Sequence, residues 1–171
     1  NRFWHRSLVC AHFAQTLATL TSYPAPEEAY LCGLLTDIGQ LILLTEHNRA
    51  YLDILADTDN DQTLLSEELQ RLDQSHCEVA GELIDSWAIS EFMGDAVRYH
   101  HEPIEQIQDA HHLVKIIYLA SLISENSVIS DRELNASHQL FGLNESLTRE
   151  LFSRITSDIE RIAENLGIAS K

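Results

Sequence analysis

The chain has 171 residues, enough for one compact domain with a real core and too few for two of ordinary size. Its apolar share of 44% is ordinary, and only six Gly and three Pro point to long helices with little loop. A formal net charge of −16 repels phosphate backbones and anionic lipid, which argues against unspecific binding to nucleic acid or membrane. No run approaches the roughly 18–20 uncharged apolar residues that span a bilayer. No basic, apolar and small signal pattern opens the chain. Because it starts at Asn1 rather than Met, the chain reads as a piece of something longer. Cys10, Cys32 and Cys77 are odd in number, lack metal-knuckle spacing and lie in apolar helical patterns. They read as small core residues in a reducing compartment, which points to the cytoplasm.

Nearly every segment carries the 3.6-residue period and none sustains alternation, so the fold class is all-α, with roughly seven to nine helices. A first helix runs from Arg2 to Thr21 and stops at Tyr23-Pro24-Ala25-Pro26. Pro26 with Glu27 and Glu28 opens a second, whose stripe Leu31, Leu34, Leu35, Ile38 and Ile42 gives a one-sided apolar face. A shorter helix covers Arg49 to Ala56. Asp57-Thr58-Asp59-Asn60-Asp61 lacks the glycine and closing glutamate of a calcium loop and reads as a solvated acidic turn. Thr63 followed by Ser66-Glu67-Glu68 starts another helix. Ser75 caps the segment carrying His76, with Glu78 as its capping-box partner. Ser90 begins the helix that ends at His100-His101, before Pro103. A buried-looking helix spans His111 to Glu125, and Ser130 to Leu143 reads as a soft loop. Asn144 caps the last helix, whose stripe Leu147, Leu151, Ile155, Ile159, Ile162 and Leu166 ends at Gly167.

Four residues, Asp37, His76, His100 and His101, could carry chemistry. Asp37 lies in the apolar second helix, one turn past Gly33, whose lack of a side chain leaves open space beside the carboxylate. His76 begins a face continued by Ala80, Leu83 and Trp87, and His100 follows Phe92, Ala96 and Val97 on one face. Three imidazoles and a carboxylate facing a common interior make a competent site for one divalent transition metal, Fe, Mn or Zn. The plainer alternative is a set of core histidines with satisfied hydrogen bonds.

The order of motifs resembles the HDOD domain, the signalling output branch of the HD metal-dependent phosphohydrolase superfamily. The residues that carry it are Phe3-Trp4-His5-Arg6-Ser7-Leu8, Gly33-Leu34-Leu35-Thr36-Asp37-Ile38-Gly39, His76 followed by Gly81 and Trp87, Tyr99-His100-His101-Glu102-Pro103, and Phe141-Gly142-Leu143 before a long terminal helix. The resemblance covers essentially residues 1–171 and implies an HD-domain-like helical bundle that lacks part of its N-terminal helices. Catalytic relatives hold one metal with a histidine on the first helix, a His-Asp dyad and a later aspartate. Here those places carry Arg6, Thr36 before Asp37, and Ser121, so three of four ligands are gone. His5 is one place off, about 100° around the helix. The second metal of the related HD-GYP phosphodiesterases matches Asp37, His76, His100 and His101, all of which survive, although no Gly-Tyr-Pro follows His101. Arg6 is expected to put a guanidinium beside Asp37 in place of the lost metal.

These residues imply a non-catalytic bacterial signal-transduction module that acts through protein interaction, with no cofactor required. Its partner would be a neighbouring signalling domain or another protein, and neither nucleic acid nor membrane. The alternative is a metal-dependent phosphohydrolase of nucleotides or cyclic dinucleotides, with Arg6 or Arg98 on phosphate. A third reading, nucleotide binding without cleavage, is disfavoured by the acidity and the absence of a Gly-rich phosphate loop.

Overall fold

A computed structural model of the protein describes residues 2–126 and 128–165. It is all-α, with no strand among the described residues. In chain order the helices are α1 (Arg2–Leu20), α2 (Pro26–Leu35), α3 (Ile38–His47), α4 (Arg49–Asp57), α5 (Asp61–Leu72) and α6 (His76–Trp87), followed by α7 (Met93–Arg98), α8 (Ile104–Ile107), α9 (His112–Ser124), α10 (Asp131–Phe141) and α11 (Glu145–Asn165). Nine of these described helices are nine residues or longer; α7 and α8 are short.

The apolar run Leu-Val-Lys-Ile-Ile-Tyr-Leu-Ala-Ser-Leu-Ile makes α9 the central post, with Leu113, Ile116, Ile117 and Leu119 fully buried. Val9, Phe13, Ala14 and Leu17 of α1 and Met93, Ala96 and Val97 of α7 pack in the same core, and Leu151, Ile155 and Ile159 of α11 close it. A smaller cluster of Leu43, Tyr51, Ile54 and Leu64 ties α3, α4 and α5 together.

The segment expected to be one helix is two. Thr36 donates its hydroxyl to the carbonyls of Cys32 and Gly33, and Asp37 sits at φ −98°, ψ 10°, so the chain turns between α2 and α3. The buried face also differs from the expected stripe: Leu31 is exposed, and Ala29, Cys32, Gly33, Gly39 and Leu43 face inward. Small residues are selected because helices approach closely there. A Cβ on Gly33 would lie 2.9 Å from Ala11 Cα, so the backbone of α1 fills the space beside that glycine. By length and mean hydropathy alone Pro26–His47 is apolar enough to cross a membrane, yet it is broken at Thr36-Asp37 and partly buried within the bundle.

Three further expectations are corrected. Ser130 to Leu143 is not a loop: Ser130 and Glu133 form a reciprocal cap that starts α10. The apolar signal is sparse because the fully buried positions are Glu133, Ala136 and Ser137, with Leu140 and Phe141 packing on the core only at the end of the helix. Asp61 is not solvated but opens α5, where Asn60 caps Thr63. Trp87 and Leu83 do not continue the inward face of His76; Cys77, Ala80, Gly81 and Ile84 do. Leu166 and Gly167 lie outside the described residues.

Candidate metal centre

The four sequence candidates converge where the two apolar clusters meet. Asp37 stands at the break between α2 and α3, and His76 is the first residue of α6, held by the reciprocal cap of Ser75 and Glu78. His100 and His101 follow α7 in the turn before Pro103, not within a helix begun at Ser90. A Cβ on Gly39 would lie 1.9 Å from the His76 carbonyl oxygen, so glycine is what lets α6 begin directly against α3. Asp37 Oδ1 lies 3.8 Å from both His76 Nε2 and His100 Nε2. The ring centroids of His76 and His101 are 5.5 Å apart, and those of His100 and His101 3.9 Å.

Hydrogen bonds decide which way the rings face. His76 Nδ1 is 2.7 Å from Glu68 Oε2, and His100 Nδ1 contacts the Val97 carbonyl; both partners only accept, so each Nδ1 carries the proton. The Nε2 lone pairs therefore point inward, which is how metal-bound histidines are normally held. Asp37 Oδ1, His100 Nε2 and His101 Nε2 are buried without a hydrogen-bond partner among the described residues. Such orphaned atoms are costly in a closed interior and fit a cation among them. Asp37, His76, His100 and His101 would hold it, and a divalent ion there supplies Lewis acidity.

The place of the first metal does not fit a second ion. Arg6 occupies it: Nη1 and Nη2 donate to Asp61 Oδ1 and Oδ2 at 2.7 and 2.6 Å, and Nε lies 3.2 Å from Asp37 Oδ2. The Arg6–Asp37 contact is as expected from the sequence; the Asp61 half of the clamp is not. Ser121 and Thr36 are buried, and Thr36 is turned onto the backbone of its own helix. Beyond Asp61 a cleft of about 630 Å³ opens, lined in part by His101, Glu125 and Arg132. Asp61, His101 and Glu125 draw together there, with Arg6 and Arg132 balancing the carboxylates.

The charges follow this geometry. Burial alone would lower the Arg6 pKa, but Asp37 and Asp61 raise it, so the guanidinium stays charged. Burial pushes the Asp61 carboxyl up, and the Arg6 hydrogen bonds and charge overcome this and hold it below its ordinary value. Glu125 is pushed up to about 7 by burial and by Asp61. His101 is driven well below the usual histidine range by burial, then by His100 and His76, which leaves a neutral ring able to accept a metal. Burial would raise the Cys77 thiol, yet His100 and His76 bring it down to about 7.

Three participants went unread in the sequence. Glu68 is fully buried and accepts from Tyr51 Oη at 2.6 Å and from the His76 backbone N–H at 2.9 Å, besides the His76 ring. Its signal was a carboxylate between Leu64 and Leu72 on an apolar stripe at helical spacing. Asp61 was hidden in an acidic loop. Cys77, read as a small core residue, places Sγ 3.4 Å from His76 Nε2.

The HDOD domain family matches residues 1–103, well over half of the chain. This chain belongs to the HDOD family. The matched stretch of the HDOD domain takes in Asp37, His76, His100 and His101 and stops before α9. Among solved structures, the MmoQ response regulator of Methylococcus capsulatus is 24% identical, with a TM-score of 0.74 over 88% of this chain and 60% of that one. An HDOD domain protein of unknown function from Geobacter sulfurreducens is 20% identical, with a TM-score of 0.59 over 92% of this chain and 61% of that one. A presumptive phosphohydrolase of Shewanella amazonensis is 21% identical, with a TM-score of 0.68 over 94% of this chain and 59% of that one. This HDOD chain thus spans about three-fifths of each of these relatives. No curated protein matches it.

Proposed function

We propose that this HDOD domain is a non-catalytic signal-transduction module of a bacterial cytoplasmic protein, acting through protein interaction. The observation that supports it is Arg6, whose guanidinium spans Asp37 and Asp61 where a first metal would need ligands. Phosphoester hydrolysis in the dinuclear relatives needs two cations to activate a bridging water and balance the leaving charge, and one site cannot do both.

What remains is a joint between helices. α6 begins at His76 and ends with Trp87, and His100 follows Tyr99 at the end of α7. Trp87, Ile89 and Tyr99 are exposed large apolar side chains on the outer ends of these two elements. A change at the histidines is transmitted to that surface through short, rigid helices, and the net charge of −16 favours basic partner surfaces.

The orphaned Asp37 Oδ1 and His100 Nε2 favour a second reading, a metal-dependent phosphohydrolase of nucleotides or cyclic dinucleotides using one residual site. An assay with added manganese or iron, against cyclic dinucleotides and an activated phosphodiester, separates the two. The expected result is no turnover above the protein-free rate. Turnover that disappears in His100→Ala would establish the enzyme.

A further inference from the structure

We propose that Cys77 is a metal ligand, and that His76, Cys77, His100 and His101 form a closed tetrahedral zinc site in which the thiolate holds the place expected of Asp37. One donor atom from each of these four side chains lies within 4.8 Å of the others. His76, Cys77 and His100 are almost fully buried; His100 Nε2 and His101 Nε2 have no hydrogen-bond partner among the described residues, and His101 Nε2 also lies 3.6 Å from Asp61 Oδ2.

One edge of the cluster has the length a zinc tetrahedron needs, and all four donor atoms lie within 4.8 Å of one another. Zinc ligands at about 2.0–2.3 Å from the metal stand about 3.3–3.6 Å from one another. Cys77 Sγ lies 3.4 Å from His76 Nε2, on such an edge, whereas Asp37 Oδ1 is 3.8 Å from both Nε2 atoms and outside it. His76 and Cys77 are consecutive, so their side chains leave the helix about 100° apart. Glu68 holds the His76 ring at Nδ1, and in that position its Nε2 is 3.4 Å from the sulfur.

Arg6 explains why the carboxylate is set aside. It binds the Oδ2 side of Asp37 and leaves Oδ1 facing the ring nitrogens from a distance. Zinc with one thiolate keeps a net positive charge, which Asp37 balances without direct ligation. Three imidazoles and a thiolate are a soft donor set that suits zinc rather than manganese. Four protein ligands leave no open position for a water, so the site is structural and ties the start of α6 to the end of α7.

Cobalt replaces zinc in such sites and reports its ligands by colour. The protein is expressed with cobalt in the medium, so that metal enters as the chain folds, and its cobalt content and absorption spectrum are measured. Expected are one cobalt per chain, visible bands of tetrahedral intensity and a near-ultraviolet thiolate-to-cobalt charge-transfer band. Cys77→Ser is expected to lose the charge-transfer band, while Cys10→Ser and Cys32→Ser, which alter buried thiols outside the cluster, keep it. A wild-type cobalt protein without that band overturns the proposal, as does a band that survives Cys77→Ser or a protein without stoichiometric metal. The wild-type spectrum decides the matter even if Cys77→Ser does not fold. The readout is ligand chemistry, so it is separate from whether the domain hydrolyses anything.

Discussion

Arg6 and Asp61 meet across 55 positions of sequence, with both terminal nitrogens of the guanidinium on both carboxylate oxygens at 2.7 and 2.6 Å. The pair is mostly buried, with side-chain exposures of 17% and 16%. Removing one partner of such a pair leaves the other charge stranded, which costs more than the pair itself contributes. Asp61→Ala is expected to destabilise the fold by about 2–4 kcal/mol in urea titration, and Asp61→Asn by less, because it keeps one acceptor.

The same pair gives the domain an acid-sensitive joint. Arg6 holds the Asp61 carboxyl below its unfolded value, so the unfolded chain binds the proton first as pH falls. The stabilisation is fully present above the ordinary aspartate value of about 3.9 and is lost as pH drops through the lower folded value. The stability difference between wild type and Asp61→Asn is therefore expected to shrink as pH falls below about 4, apart from any change near pH 7, where Glu125 titrates under the influence of Asp61. A difference that does not shrink below about pH 4 would contradict the assignment.

Glu68 is the hinge pin under His76. Three donors converge on it: the Tyr51 hydroxyl, the His76 backbone N–H and the His76 ring. Glu68→Leu keeps the volume but strands all three, and a loss of about 3–5 kcal/mol is expected by chemical denaturation. Adding Tyr51→Phe removes one stranded group, so the double variant is expected to recover about 1 kcal/mol relative to additivity.

Gly39 sets the height of His76 above Asp37. In Gly39→Ala the new methyl would fall 1.9 Å from the His76 carbonyl oxygen, and that neighbour is backbone that cannot swing aside. Forced separation of α3 and α6 is expected to cost about 2–3 kcal/mol, the upper range for overpacking. Metal affinity should fall with it, whereas Gly142→Ala, which strains a left-handed cap at φ +66° outside the site, should cost stability and leave metal affinity unchanged.

The parts of the fold legible in sequence were those where one physical signal acts alone. The Ser75 cap with Glu78, the largely apolar run of α9 and the Leu151, Ile155 and Ile159 stripe each stand where the pattern puts them. The break at Asp37 escaped because it turns on one residue leaving helical dihedrals, at φ −98°, ψ 10°, which leaves the apolar period intact. Helix α10 escaped because polar and small residues line its buried side. At the site, Arg6 was legible as a charge replacing a ligand. Its partner Asp61 was not, since an aspartate among aspartates in a loop carries no mark of where the chain will fold it.

The central claim is that Arg6 has displaced one metal and left room for at most one. A crystal structure with anomalous scattering measured at the zinc, iron and manganese edges tests it most directly. The account predicts a single ion among His76, His100 and His101, with the Arg6 guanidinium on the far oxygen of Asp37. Two ions flanking that carboxylate, with Arg6 turned out to solvent, would contradict it.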